Sequence, residues 1–346
     1  MPLSKLRRHE IMDALLHEIE KDQFYNEFSV ATFADVHKLS KQSIYRYLKA
    51  LETESKIEKR GKDRYRLVDS RFQFNYSIDN LKEDIVWSKD IAPLLQDMPE
   101  IAAKNCHYAF TEMLNNAIDH SEGTEVIVTM HINAHDVSFI ISDNGIGIFT
   151  KIASAMQLEE KRFAILELAK GKFTTDPESH SGEGIFFSSK ATDMFGIFSD
   201  GLVFEANNLR NDGLERIYNH EIAELIGTSV FFVIFRNHSV TTRELFDRYT
   251  EEPDHYGFTK TAVPVKLLEY GEAYPVLISR SQAKRLLVRF ERFERIELDF
   301  SGIDEIGQGF ADEVFRVFQS QHPNSKITAV NCNPQVERMI KHVTRH

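Results

Sequence analysis

Apolar residues near the start of the chain recur at helical spacing. Leu6, Ile11, Ala14, Leu15 and Ile19 share one helix face. "SVATFADVHKLS" reads as a short second helix with Ser29 placed to cap it. "SKQSIYRYLKALETES" reads as a longer third, with Ile44, Tyr47, Leu48 and Leu51 on one side. The period then changes. "KIEKRGKDRYRLV" alternates around Gly61, as the two arms of a hairpin do. Further on, "EVIVTMHI" and "VSFIISD" alternate as strands, "GTSVFFVIF" reads as a buried strand, and "MPEIAAKNCHYAFTEMLNNAIDHS" as a long amphipathic helix. Helices with a mixed sheet predict an α/β sandwich. "TTRELFDRYTEEPDHYG" is polar and reads as a connector. From "KTAVPVKLLEY" onward, strand and helix alternate three times, a small βαβαβα unit. The pattern predicts an α+β multidomain chain divided at 1–69, 70–240, 241–258 and 259–346, with no internal repeat.

A chain of 346 residues is long enough for two or three domains with their own cores. Its 42% hydrophobic and 27% charged residues fit a soluble globular protein. It has no apolar run of membrane-spanning length. The opening "MPLSKLRRHEIMDALL" lacks the apolar stretch of a secretory signal. Cys106 and Cys332 both sit in apolar patterns and point to a reducing, cytoplasmic setting. No metal-ligand spacing stands out. The net charge of −11 argues against a protein that coats nucleic acid. Yet residues 38–68 hold ten Lys/Arg against four Asp/Glu, so this one segment is basic.

The third helix offers Lys41, Gln42, Ser43, Tyr45, Arg46 and Lys49 on its outer face, and the hairpin offers Lys59, Arg60, Lys62 and Arg64. Cations there neutralise phosphates, while Gln42, Ser43 and Arg46 are of the types that touch base edges. The same charges also suit a solvated face or a protein-binding module. The order helix, helix, helix, hairpin resembles a winged helix-turn-helix. That resemblance implies binding to double-stranded DNA and, because such modules usually act in pairs, a homodimer.

The long helix carries Glu112, Asn116 and Asp119 in a stripe about 60° wide, with Met113, Leu114, Ala117 and Ile118 facing the other way. On the strand "VSFIISD", Val137, Phe139 and Ile141 share a face, and Asp143 continues it. A buried, unpaired carboxylate is expensive, so something should satisfy it; an exocyclic amine such as adenine's would. Gly145 and Gly147 let the backbone pass close to a flat ring. Gly182 and Gly184 open a helix, and free N–H groups at such a start favour an anion. Thr228 starts a strand with a hydroxyl able to reach a base. Taken singly, each is weak: DxGxG is commonly a turn, and GEG often only a cap.

Together and in this order, "EMLNNAID", "DNGIGI", "SGEGI" and "GTS" resemble the four boxes of the GHKL ATPase superfamily, over about residues 80–236. Gyrase B subunits, the ATP-driven heat-shock chaperone, MutL proteins and histidine kinases share that fold. The resemblance implies ATP and Mg²⁺ as cofactors, Asp143 as acceptor of the adenine amino group, and Asn116 as Mg²⁺ ligand. It implies Glu112 as general base toward water or a hydroxyl. Residues from about 149 to 181 would form a mobile ATP lid, with Lys172 as a phosphate contact. No phosphoacceptor box precedes this segment, and His107 and His120 read as local structure. Two subfamily readings stay open: a hydrolysing ATPase, and a serine/threonine protein kinase of the anti-sigma type, which also carries Glu-x-x-x-Asn, often with a following His as in "NAIDH".

"IELDFSGIDEIGQGFADEVF" resembles STAS-like domains over about residues 260–345. Phosphorylatable members carry a serine in the loop before the helix. Here that loop reads Gly307-Gln308-Gly309, and Ser301 stands elsewhere. The tail is thus expected to dock a partner, oligomerise, or pack on the ATPase segment. The whole reads as a cytoplasmic ATP-dependent regulator of transcription, with the kinase as the alternative.

Overall fold

The structure, a computed structural model, describes residues 5–25, 28–173, 182–208, 216–219, 226–250, 258–269 and 276–345. Helices α1 (Lys5–Tyr25), α2 (Val30–Val36) and α3 (Lys41–Thr53) come first, followed by the antiparallel pair β1 (Ile57–Gly61) and β2 (Arg64–Leu67). Ser29 accepts the Thr32 N–H at 3.4 Å to cap α2, and Ser40 accepts the Ser43 N–H at 3.2 Å to cap α3. The helical periodicity becomes a core: Ile11, Leu15 and Ile19 meet Ile44, Leu48 and Leu51, closed by Ile57 and Leu67 of the hairpin. This core is separate from the one that fills the rest of the molecule.

Strand β3 (Ser70–Ser77) is an edge strand the apolar pattern did not reveal. Helix α4 (Glu83–Val86) leads to α5 (Glu100–His120), then β4 (Glu125–Ile132) and β5 (Asp136–Asp143). Next come α6 (Ile148–Met156), α7 (Phe163–Lys170), α8 (Gly184–Ala191), β6 (Met194–Ser199), β7 (Leu202–Asn207), β8 (Arg216–Asn219) and β9 (Thr228–Phe235). The seven strands lie in the order β3-β4-β5-β9-β6-β7-β8. Every pair is antiparallel rather than mixed. The links between β4 and β5 and between β6 and β7 are too short for the crossover that parallel neighbours need. Helix α5 buries Cys106, Phe110, Met113, Leu114 and Ala117, and Phe110 meets Phe139 of β5 with ring centres 5.5 Å apart.

Helix α9 (Thr242–Tyr249) occupies the stretch that reads as a polar connector. Leu245, Phe246 and Tyr249 form an apolar stripe along it, and the stripe docks: Phe246 lies 4.1 Å from Phe187, and Tyr249 4.9 Å from Phe186, centre to centre. A capping box between Thr241 and Glu244 starts the helix. The remainder of that stretch, 251–257, lies outside the described residues.

The tail comprises β10 (Lys260–Pro264), α10 (Arg280–Leu287), β11 (Arg295–Asp299), α11 (Gln308–Asp312), α12 (Phe318–Gln321), β12 (Lys326–Val330) and α13 (Pro334–Thr344). A π-helical turn, Glu313–Val317, joins α11 to α12. The three strands are parallel in the order β10-β11-β12, the alternation the sequence predicts. The apolar core of the seven-stranded unit runs on into this tail without a break. Phe258, 2% exposed, bridges them by packing on Phe186 and on Phe293. Full burial of one such ring is worth about 1.5–3 kcal/mol.

Polar groups reinforce the junction. All eight residues of α7 are buried. Lys170 Nζ donates to Glu167 Oε1 at 2.5 Å and to the Val288 carbonyl at 2.9 Å. Arg289 reaches Glu167 Oε2 at 3.1 Å and the carbonyl oxygens of Gly171 and Lys172. Thr261 Oγ1 donates to the Lys170 carbonyl at 2.8 Å. Within the segment from about 149 to 181 expected to act as a lid, α6 and α7 are held by apolar packing and by the tail. Residues 174–181 lie outside the described residues.

Candidate functional site

One end of α5, the end of β5, and the starts of α6, α8 and β9 surround a cleft of about 1140 Å³, solvent at its mouth included. Glu112 and Asn116 line it from α5, one turn apart as their spacing requires. Asp143 and Thr228 line it from the sheet. Asp143 closes the inward row Val137, Phe139, Ile141, each 2% exposed or less. Its Oδ1 accepts the N–H of Gly145 at 2.9 Å and of Thr228 at 3.2 Å. Burial pushes this carboxyl above its ordinary value, and those two N–H groups oppose the shift. Thr228 Oγ1 in turn accepts the Ile148 N–H at 3.0 Å, which leaves its proton to be donated elsewhere.

Asn116 lines the cleft with a buried Nδ2 that finds no hydrogen-bond partner among the described residues. A carboxamide so placed is a group waiting for a ligand, and turning the amide presents its oxygen instead. Glu112 rests against the first turn of α8: a Cβ on Gly184 would lie 2.1 Å from its Oε2. Glycine is thus what lets the carboxylate reach that helix start, where negative charge is favoured. Gly147 has φ +81°, a conformation side chains rarely adopt, and begins α6. Gly182 also lines the cleft and lies against Phe173.

Three sequence-predicted residues fall elsewhere. Lys172 donates to the Arg292 carbonyl at 3.1 Å and faces the Phe258 and Phe293 rings, so the tail turns it away from the cleft. Asp119 is exposed and does not line the cleft, although it shares the helix stripe of Glu112 and Asn116. Gly145 lies against Ser121 at the end of α5, where a Cβ would come 2.0 Å from the Ser121 carbonyl oxygen. It lets the strand end pack on the helix behind the cleft rather than facing it. Two residues were missed. Lys151, four residues past Gly147, lines the cleft with Nζ held by the His120 carbonyl at 2.7 Å and Glu122 at 3.0 Å. Its place one turn into the helix after the glycines was the available signal. Gly227, at φ +87°, has room for no side chain beside Asp143, and the dipeptide with Thr228 already contained it.

A helix stripe with Glu and Asn, a strand ending in Asp, and glycine-opened helices around one cleft find a counterpart in known proteins. Residues 102–196 match the family model of the histidine kinase-, DNA gyrase B-, and HSP90-like ATPases. This segment is a GHKL-type ATPase domain. Such a domain implies ATP binding. Residues 282–337 match the model of a STAS-like domain of unknown function (DUF4325). A search of curated proteins finds no match to the chain. No helix among the described residues is long and apolar enough to cross a membrane.

On α3, Lys41, Gln42, Arg46 and Lys49 are exposed, as are Lys59, Arg60, Lys62 and Arg64 on the hairpin. Two of the predicted contacts are engaged within the chain. Ser43 is bound up in the cap of α3, its Oγ 2.9 Å from that of Ser40. Arg60 pairs with Glu58 on its own strand. Tyr45 donates to Asp63 at 2.7 Å and so ties α3 to the hairpin turn.

Proposed function

We propose that this chain is an ATP-dependent regulator in which nucleotide binding and slow hydrolysis in the GHKL domain control binding of DNA. The observation that carries the reading is the convergence of Asp143, Asn116 and Glu112 on one cleft. Asp143 would accept the adenine amino group, with Thr228 beside it. The Asn116 carboxamide would hold Mg²⁺, which keeps most of its own waters and neutralises phosphate charge when bound. Glu112, on the same face as Asn116, would take the proton of the attacking water. Lys151 is the cation we assign to the cleft in place of Lys172. Segment 1–69 would act as a winged helix-turn-helix, with α3 in the major groove and the hairpin as wing, in a homodimer. Support comes from the exposed basic row on α3 and the hairpin of an otherwise acidic chain.

The test is a salt-controlled gel shift with DNA from upstream of the chain's own reading frame, with and without a non-hydrolysable ATP analogue. The proposal expects a shift that changes with the analogue and weakens in Arg46→Ala and Lys62→Ala, while nucleotide affinity stays as in the parent. Equal shifts by parent and both variants at one salt concentration would reduce the patch to a solvated face.

A second reading has its own support: Glu112, Asn116 and His120 follow the order seen in anti-sigma kinases, and a STAS-like domain is fused to them. Label transferred from γ-phosphate-labelled ATP to another protein would favour it, whereas free phosphate would favour hydrolysis. Gln308, in the loop where phosphorylatable members carry serine, makes the fused tail itself an unsuitable acceptor.

A further inference from the structure

Helix α1 sets His17 and Glu20 three residues apart on one face, and the turn between β4 and β5 brings His135 against them. His17 Nδ1 lies 3.2 Å from His135 Nε2, and His135 Nε2 lies 3.4 Å from Glu20 Oε2. All three donor atoms fall within 4.8 Å of one another. Four ligands at 2.0–2.1 Å from a tetrahedral ion stand about 3.3–3.4 Å apart. The two short separations are therefore those of neighbouring corners of such a site. We propose that His17, Glu20 and His135 form a Zn²⁺ site that clamps the N-terminal helices to the ATPase domain.

The chemistry suits the ion. Two imidazole nitrogens and one carboxylate are donors that zinc accepts readily, with a fourth corner left over. Asp136 is a further carboxylate in hydrogen-bond contact with Glu20. The turn is held from behind, as metal ligands usually are. Asn133 Oδ1 accepts the N–H of His135 at 2.7 Å and of Asp136 at 2.9 Å, while the Phe235 ring covers His135 at 4.4 Å. His17 and His135 also line a solvent-open cavity, which provides a route in.

The position gives the ion a purpose. The core of the N-terminal helices is separate from the larger core, and from the far side Ala134 packs against it from this same turn. An ion shared by α1 and the β4–β5 turn would fix how the basic face of α3 is held relative to the cleft. The proposal is independent of any role in hydrolysis, because none of its ligands lines that cleft.

The test uses the full chain, untagged and stripped with a chelator, then titrated with Zn²⁺ against a chromophoric competitor, with bound metal counted by elemental analysis. One Zn²⁺ per chain is expected, with affinity lowered in His17→Ala and in His135→Ala by at least the roughly 10–100-fold that loss of an outer-shell partner alone causes. The visible absorption of tetrahedral Co²⁺ should appear in the parent and vanish in both. Glu20→Gln keeps the shape of the side chain and should also weaken binding, which maintains the test if an alanine variant fails to fold. Uptake of no zinc by the parent, or of the same amount by a His17→Ala/His135→Ala double variant, would overturn the site and leave a hydrogen-bonded cluster.

Discussion

Arg289 of the tail and Glu167 of α7 form an ion pair at 3.1 Å, with side chains 9% and 3% exposed. Lys170 joins the same carboxylate from the other side. One buried anion thus serves two buried cations, and the three do not contribute equally. Breaking a buried pair costs about 3–5 kcal/mol, because a charge is left uncompensated. Glu167→Gln should lose stability on that scale, since it strands both cations. Arg289→Met should lose less, since Glu167 keeps Lys170. Urea unfolding midpoints that coincide for the two variants would show that the carboxylate is not the shared partner.

Lys170 itself makes a pH prediction. Burial, and to a lesser degree Arg289, lower its ammonium from 10.5 to about 8, while Glu167 works the other way. The unfolded chain therefore holds this proton over a range where the folded chain has released it. Stability then rises with pH in that window. Relative to Lys170→Met, the parent should gain stability between about pH 8 and 10.5 and show a constant difference below it. A difference that is flat across that range would mean the ammonium stays charged in the fold.

Asp143→Asn should weaken nucleotide binding roughly ten- to a hundredfold, the worth of a charged hydrogen bond of about 1.5–3 kcal/mol. The parent should also lose affinity as the solution is acidified. Because burial raises the Asp143 carboxyl, that loss should begin above the ordinary carboxylate range, and the variant should lack it. Calorimetry with ADP over a pH series reads both effects; unchanged affinity in the variant would remove the adenine role.

Glu112→Ala and Asn116→Ala should differ in kind. A general base acts on the transition state, so Glu112→Ala should cut phosphate release about 10²–10⁴-fold with affinity nearly intact. Asn116→Ala should weaken Mg²⁺-nucleotide binding itself. Steady-state phosphate release and equilibrium binding, measured side by side, separate the two. Parental turnover in Glu112→Ala would withdraw the base assignment.

Local pattern made much of this molecule legible. The two faces of α5, the inward row that ends in Asp143, the alternation of the tail and the capped helices at the start all rest on periods of 3.6 and 2, which neighbouring residues settle among themselves. The placing of charges did not follow from pattern. Lys172 reads as a phosphate contact because it lies in a glycine-rich stretch, yet the tail offers it the Arg292 carbonyl and two aromatic rings. The stretch around α9 reads as a linker because its charges outnumber Leu245, Phe246 and Tyr249, which nonetheless share a face. His17 and His135 stand 118 positions apart and carry no spacing that local reasoning could detect. Local pattern determined most of the elements and the residue types each presents, though not β3 or α9. Only the packing of those elements decided which buried charges meet, because the cost of burying a charge depends on neighbours that arrive from distant parts of the sequence.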